Sequence, residues 1–488
     1  MTHPRSILVR LLFPLLLLFP LFFLSCTPAA APPGSLDPGA VTAEGAISST
    51  ILLASGESTV YARIRIGTTK RPEQDRGPVN IALAIDTSGS MEGDAIVAAK
   101  KASLQMMDAL RDGDKLAVVI FHSKSEILLP TTELDSEVRA DVRKRISEIK
   151  AQGTTEMAGG LQSAVEQVLS NYDAKGINRV ILLGDGIPNN DYNIENSARR
   201  AAQNGVAITT LGLGLDYDEI LMGKIADLSG GRYQYIESAD KLATFFGQEL
   251  QRIHLVYGRN ASATITPGPG VRIDAVVGGE APAGGGQAYV HLGDITRGDS
   301  RDIVVRMTVT PRKAGVPIEL LDTLISFDDS LEGAGRLERR VYLGARTTLL
   351  EEEAAKARNP EVELSAALAE ASATTLKALE VSKQGRHGAA RQMLAQGAQA
   401  AQAQLKRTPN GELSKIAENM SAVASDMPAE DAPSPKEAPS QGYEFSDDQT
   451  AAPSPAPASA MPAPRSMELP SVVRKRKEVH QSAVDALH

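Results

Sequence analysis

Three short segments carry side chains that end in oxygen. Asp86-Thr87-Ser88-Gly89-Ser90 sets three of them at alternate positions on one tight loop. Gly153-Thr154-Thr155-Glu156-Met157 stands at the start of a helical pattern, and Gly184-Asp185-Gly186 follows an apolar run. Carboxylate and hydroxyl oxygens, with no His or Cys among them, suit a hard dication such as Mg²⁺ or Mn²⁺. Asp, Ser and Thr also favour helix N-caps and turns, so a single loop of this kind carries little weight. Capping does not require three loops to agree.

The elements that must position these loops are legible in the hydrophobic pattern. Apolar runs recur at Val79–Ile85, Leu116–Phe121, Arg179–Leu183, Ala207–Leu211 and, more weakly, Arg232–Ile236. Between them lie helical stripes: Ile96, Ala99, Ser103, Met107 and Leu110, then Leu161, Ala164, Val165, Val168 and Leu169. Strand and helix in regular succession predict an α/β unit over residues 78–255, Rossmann-like, with a doubly wound, mostly parallel sheet. Continuous apolar strands such as Ile81–Ile85 suit a sheet covered on both faces. Ligands of such sheets sit at the carboxyl ends of the strands, where two of the three loops begin.

In that setting the three segments resemble the metal-ion-dependent adhesion site of von Willebrand factor A domains, with its Asp-x-Ser-x-Ser, Thr and Asp elements in order. The resemblance covers residues 79–254. It implies that the Ser88 and Ser90 hydroxyls coordinate the metal directly. Asp86 and Asp185 would hold it mainly through bound waters, or one of them directly. Thr155 would coordinate directly in the high-affinity arrangement. The family reads Gly-Gly-Thr, then Asn or Asp, then an apolar residue, with Gly-Leu further on. Gly160-Leu161 therefore places Thr155 on the ligand, and Thr154 replaces a Gly. Glu156 stands where Asn or Asp is common; it is read either as a support behind the metal ligands or, by preference, as facing solvent. The implied cofactor is Mg²⁺, or Mn²⁺ or Ca²⁺. Two carboxylates neutralise the dication and leave it seeking an anionic sixth ligand, an Asp or Glu carboxylate of a protein partner. The implied role is non-enzymatic binding. The alternatives are a metal that serves stability alone and a structural envelope protein acting through its other segments.

Those segments differ in character. Val60, Ala62, Ile64 and Ile66 alternate with Tyr61, Arg63 and Arg65, so residues 46–77 are expected to supply strands. From 256 to 347 the pattern is again alternating, as at Ile303, Val305, Met307 and Val309, with turn-rich breaks. An antiparallel β-sandwich joined by the earlier strand is predicted. Residues 348–426 are read as a helical segment, in which 361–425 is rich in Ala, Leu and Gln at helical spacing, with breaks at Gly385 and Pro409-Asn410-Gly411 giving three helices. The order resembles that of inter-alpha-trypsin inhibitor heavy chains and chloride-channel-regulator proteins, in which the sandwich flanks an A domain inserted in sequence. Residues 427–488 are expected to be a disordered tail, rich in Pro, Ala and Ser up to 466; within it, residues 471–487 are read either as a short amphipathic helix with a basic patch, Arg474-Lys475-Arg476-Lys477, or, by preference, as solvated tail.

At the other end, Arg5 and Arg10 precede an apolar stretch, Leu11 to Leu24, which is too short to span a bilayer comfortably. A basic start, a short apolar middle and small residues are the layout of a secretory signal. Phe23-Leu24-Ser25-Cys26 resembles the lipobox of bacterial lipoproteins, which implies lipidation of Cys26, the chain's single cysteine. Residues 27–45 would be a flexible tether. Thr27, not being Asp, resembles the outer-membrane sorting pattern, so a lipid-anchored protein of the bacterial cell envelope is expected.

Composition removes other classes. A net charge of −9 with no dominant basic stretch gives no electrostatic footprint for nucleic acid. One cysteine excludes a disulfide scaffold. No His-Glu-x-x-His occurs, Gly212-Leu213-Gly214-Leu215 lacks a third Gly, and Ser88 lacks a nucleophile elbow, so protease, dinucleotide and hydrolase chemistry are unsupported. His122 reads as a loop or surface residue and Asp191 as solvated.

Overall fold

The alternation around Val60 to Ile66 does form a strand, but not alone. The computed structural model describes residues 37–69, 77–189, 192–279, 282–310, 312–331, 333–427 and 470–487. Cys26, the segment before it, most of the tether and Asp191 lie outside the described residues. Strands β1 (Val41–Ile47), β2 (Ile51–Leu53) and β3 (Ser58–Thr68) open the described chain. The tether therefore stops short of residue 45: Val41 and Ile47 are buried, and β1 pairs antiparallel with β3 from Val41↔Thr68 to Ile47↔Ala62.

The α/β unit follows. Its strands are β4 (Val79–Asp86), β5 (Lys115–Phe121), β6 (Ser125–Glu133), β7 (Ile177–Gly184), β8 (Ala207–Leu213) and β9 (Tyr233–Ile236), in the order β6-β5-β4-β7-β8-β9. All pairs are parallel except β5–β6. Every residue of β4, β7 and β8 is buried, as expected of strands covered on both faces. The covering helices are α1 (Asp94–Ala109), α2 (Ser136–Glu148), α3 (Met157–Ser170), α4 (Ile194–Gln203), α5 (Glu219–Ser229) and α6 (Leu242–His254). β6 was not anticipated. Only Leu129 of it is buried, and Pro130 and Glu126 are exposed, which suits an edge strand rather than an apolar run.

The chain then returns to β structure with β10 (Val256–Pro267), β11 (Val271–Val276), β12 (Ala288–Thr296), β13 (Ser300–Val309), β14 (Pro317–Asp329) and β15 (Arg336–Thr348). Two sheets result, β1-β3-β13-β11 and β12-β10-β14-β15-β2. They enclose one core containing Ile64, Ile265, Val305, Leu321 and Phe327. The α/β unit is thus inserted between strands of a single sandwich. One pair departs from the antiparallel expectation: β2 runs parallel to β15. A backbone contact and an ion cluster join the two units. Gly230 and Gly293, both in left-handed conformation, meet so closely that a Cβ on Gly293 would lie 1.8 Å from the Gly230 oxygen. Beside them Arg179 on β7 reaches Glu249 of α6 at 2.7 Å and Asp294 of β12 at 2.5 Å, all well buried.

Helices α7 (Glu351–Lys356), α8 (Pro360–Lys383), α9 (His387–Leu405) and α10 (Gly411–Asp426) complete this part: three over residues 361–425, with the short α7 set apart before them because Asn359-Pro360 starts a new helix with Asn359 as its cap. No helix among the described residues is long and apolar enough to cross a membrane.

Of the two readings of residues 471–487, the fold adopts the helix and not the preferred solvated tail. Pro470–Asp485 forms α11, which packs on α8, α10, β9 and α5. Lys477 is fully buried, donating to Glu219 at 2.9 Å and to the Tyr217 carbonyl at 2.8 Å. Burial alone would push Glu219 up, but Lys477 and Arg476 outweigh it and hold the carboxyl at about 2. His480 is buried edge-on against Tyr233, near Glu219, Asp218, Arg476 and Lys477, and burial pushes its imidazole down to about 4. A histidine depressed in the folded state stabilises the fold above its unfolded value and loses that contribution as pH falls. Between pH 7 and pH 5 the docking of α11 is expected to weaken by roughly 2 kcal/mol. Hydrogen exchange of the α11 amides at the two pH values, after correction for intrinsic rates, measures it. His480→Leu should flatten the dependence.

Candidate metal centre

The Asp86 loop begins where β4 ends. Asp86 is fully buried, and its Oδ1 accepts from the Ser88 amide at 2.8 Å, an Asx turn that folds the loop back over the strand end. Ser88 Oγ and Ser90 Oγ then stand 3.0 Å apart, and Ser90 Oγ donates to Asp185 Oδ1 at 2.7 Å. Asp185 follows the last residue of β7, the strand next to β4. Two adjacent parallel strands therefore deliver the two carboxylates side by side.

Thr155 arrives from the third loop. A Cβ on Gly186 would lie 2.7 Å from Thr155 Oγ1 and 3.4 Å from Ser90 Oγ, so both oxygens border the space that the missing side chain leaves. Backbone hydrogen bonds stitch the loops together. The Gly89 amide donates to Gly153 O at 3.1 Å, the Gln152 amide to Thr87 O at 2.7 Å, and the Asn189 amide to Thr155 O at 3.0 Å. The Thr87 amide and hydroxyl both donate to Phe121 O, at 2.8 and 3.1 Å. Asp86, Ser88, Ser90, Thr155 and Asp185 are thus brought to one place.

Electrostatics give this place its character. Burial, with Asp185 close by, pushes the Asp86 carboxyl up to about 6, despite hydrogen bonds from Ser88 and the Gly186 amide. Burial likewise raises Asp185, to which Ser90 donates and on which the charge of Asp216 bears. Asp86 Oδ2 is buried with no hydrogen-bond partner. Two neighbouring desolvated carboxylates and an orphaned oxygen make a site that a dication would satisfy. The spacing fits as well: an octahedral shell with bonds of roughly 2.0–2.1 Å places neighbouring oxygens about 3 Å apart. Among the described residues no cluster of three His, Cys, Asp or Glu offers a competing metal site.

Two residues depart from expectation. Glu156 does not simply face solvent. It caps α3, accepting from the Gly159 amide at 3.0 Å, and its own amide donates to His122 O. His122 is buried, with Nε2 3.3 Å from the Gln152 side chain, because the Thr87–Gln152 loops close over it. The parts that spacing could not disclose are the Gly186 amide and Asp216, since both reach the site only through the fold. The glycines flanking Asp185 were the available signal.

Residues 80–248 match the family model described as von Willebrand factor type A domain. This segment is a von Willebrand factor A domain. Domains of this kind generally mediate protein–protein contact and adhesion, often through a divalent metal, and are generally non-enzymatic. The chain is 28% identical over 223 residues to the uncharacterized protein YfbK of Escherichia coli (strain K12), covering 44% of this chain and 38% of that protein. It is 27% identical over 207 residues to inter-alpha-trypsin inhibitor heavy chain H4 of Homo sapiens, covering 39% of this chain and 22% of that one. The match thus spans well under two thirds of either curated relative. A von Willebrand factor type A structure from Catenulispora acidiphila superposes with a TM-score of 0.62 at 20% identity, covering 77% of this chain and 89% of that one. The ArnB paralog VWA2 from Sulfolobus acidocaldarius gives 0.52 at 19% identity, covering 80% and 98%. These likenesses reach well beyond the A domain, and they concern fold.

Proposed function

We propose that this chain is a non-enzymatic, metal-dependent protein-binding module of the bacterial cell envelope, held at the membrane by a lipid on Cys26. The observation that carries it is the convergence of Asp86, Ser88, Ser90, Thr155 and Asp185 from three loops around a buried, unpartnered Asp86 oxygen. These five residues would hold Mg²⁺, or Mn²⁺ or Ca²⁺. When bound, the ion supplies a positive charge that still seeks an anionic oxygen, here an Asp or Glu carboxylate of a protein partner. The chain's own part is to hold the donors in place before the partner arrives. Asx and backbone bonds fix the Ser88 and Ser90 loop, and the Asn189–Thr155 bond fixes the third loop against the second. The two carboxylates balance the ion's charge, and neutral hydroxyls in place of a third carboxylate keep it electrophilic. The apolar stretch before Cys26 and the Phe23-Leu24-Ser25-Cys26 sequence support the anchor.

The test is capture of envelope proteins by the soluble fragment from residue 27, with Mg²⁺ present and again with a chelator. A partner that binds in Mg²⁺, elutes with chelator and is lost on Ser88→Ala supports the reading. A partner retained in chelator would assign binding to the sandwich or helices and leave the metal a stabilising role.

A further inference from the structure

A fully buried lysine is an expensive way to dock a helix. An apolar residue at position 477 would cover the same surface without desolvating a charge. What the charge adds is a hold on one short stretch. Lys477 Nζ lies 3.6 Å from the centre of the Tyr217 ring, and donates to the Tyr217 carbonyl and to Glu219. Gln481, one turn on, fastens the same helix to the edge of β9, accepting from the Tyr235 amide at 2.7 Å and donating to Tyr233 O at 3.2 Å.

That stretch leads to the metal centre in two steps. The Tyr217 ring lies on Gly212, where a Cβ would fall 2.1 Å from Tyr217 Cε2. Gly212 pairs with Gly184, and Asp185 is the next residue. Asp216, adjacent to Tyr217, also bears electrostatically on Asp185. We propose that Lys477 is a positioning residue for the metal loop: by docking α11 it fixes Tyr217 over the Gly212–Gly184 step and so sets the backbone that carries Asp185. The inference rests on the metal-site reading above for its purpose, though not for its geometry. It makes the far C-terminus a part of the A domain's binding end, across residues 428–469.

The experiment uses the full chain and two readouts. Without metal, hydrogen exchange is compared in wild type, Lys477→Met and Arg474→Ala, the last removing a half-exposed charge of the same helix. In Lys477→Met, exchange is expected to rise about tenfold at Gly212–Tyr217 and Gly184–Gly186, within the range of coupling between linked sites, with β13 unchanged. Arg474→Ala should match wild type. With Mn²⁺, followed by the electron paramagnetic resonance of the free ion, Lys477→Met should bind about tenfold more weakly. Lys477→Met with Glu219→Gln, which removes the stranded carboxylate, should restore both the helix and the Mn²⁺ affinity. If α11 loses protection while Gly184–Gly186 keep theirs, the proposal is overturned. If wild type binds no Mn²⁺, the metal reading falls and the exchange result still decides the positioning claim. Should Lys477→Met not fold, Gln481→Ala loosens α11 with both charges in place. It must then give the same localised pattern, and an unchanged Gly184–Gly186 would again overturn the proposal.

Discussion

Asp86→Ala is expected to abolish Mg²⁺-dependent stabilisation while leaving the metal-free protein at least as stable as wild type. The two halves of this result have one cause. Asp86 is a fully buried carboxylate with an unpartnered Oδ2, so without a cation it costs stability. In the proposed metal site it would supply one of the two charges that hold the ion. At a ligand concentration a hundredfold above the dissociation constant, binding to the folded state adds about 2.7 kcal/mol. For a unit of the A domain's size that corresponds to a rise in Tm of roughly 5–10 °C. Circular dichroism melts of wild type with and without Mg²⁺ should show this rise, and Asp86→Ala should show none. A rise preserved in the variant would remove Asp86 from the site. A variant that melts far below metal-free wild type would mean the carboxylate serves the fold instead.

Arg179→Met is expected to cost about 3–5 kcal/mol, the range for breaking a buried ion pair from one side. The guanidinium answers Glu249 and Asp294 together, and Thr209 adds a 2.7 Å bond to Glu249. Burial would raise Glu249, but Arg179 and Thr209 outweigh it and hold the carboxyl below its ordinary value. Removing the cation strands two carboxylates between α6 and the sandwich. Urea unfolding reads the loss directly. The triple change Arg179→Met, Glu249→Leu, Asp294→Leu should recover most of it, since the penalty lies in the unpaired charges rather than in lost packing. A single variant within 1 kcal/mol of wild type would show that water reaches the cluster.

The sequence disclosed these features unevenly, for physical reasons. The strands β4, β5, β7 and β8 announced themselves because burial on both faces leaves largely apolar runs. The proposed donors of the first loop could be named because Asp86, Ser88 and Ser90 lie within one turn, and a turn is written locally. β6 was hidden by its polar alternation and Pro130. α11 was visible as an amphipathic alternative, but its burial was not. Arg474-Lys475-Arg476-Lys477 has every mark of a solvated face, and Lys477 is buried only because Glu219, far away in the chain, waits for it. Arg179 belongs to the same class: a charge at the start of an apolar run whose partners come from α6 and β12. Local pattern reports how a residue meets its neighbours in sequence. It is silent about countercharges that the fold brings from elsewhere.

The insertion of the A domain between β3 and β10 dictates an order of events in folding. Ile64 on β3 pairs with Ile303 on β13, so this sheet needs ends that are widely separated along the chain. Closing so long a loop as free coil is slow, and its contacts come late. The A domain contains every strand of its own sheet and can collapse on local contacts first. Once collapsed, it holds Val79 and Val256 at its boundary and turns the long loop into a short one. The sandwich should therefore appear last in refolding, and lesions in the A domain core should slow it although they touch none of its strands.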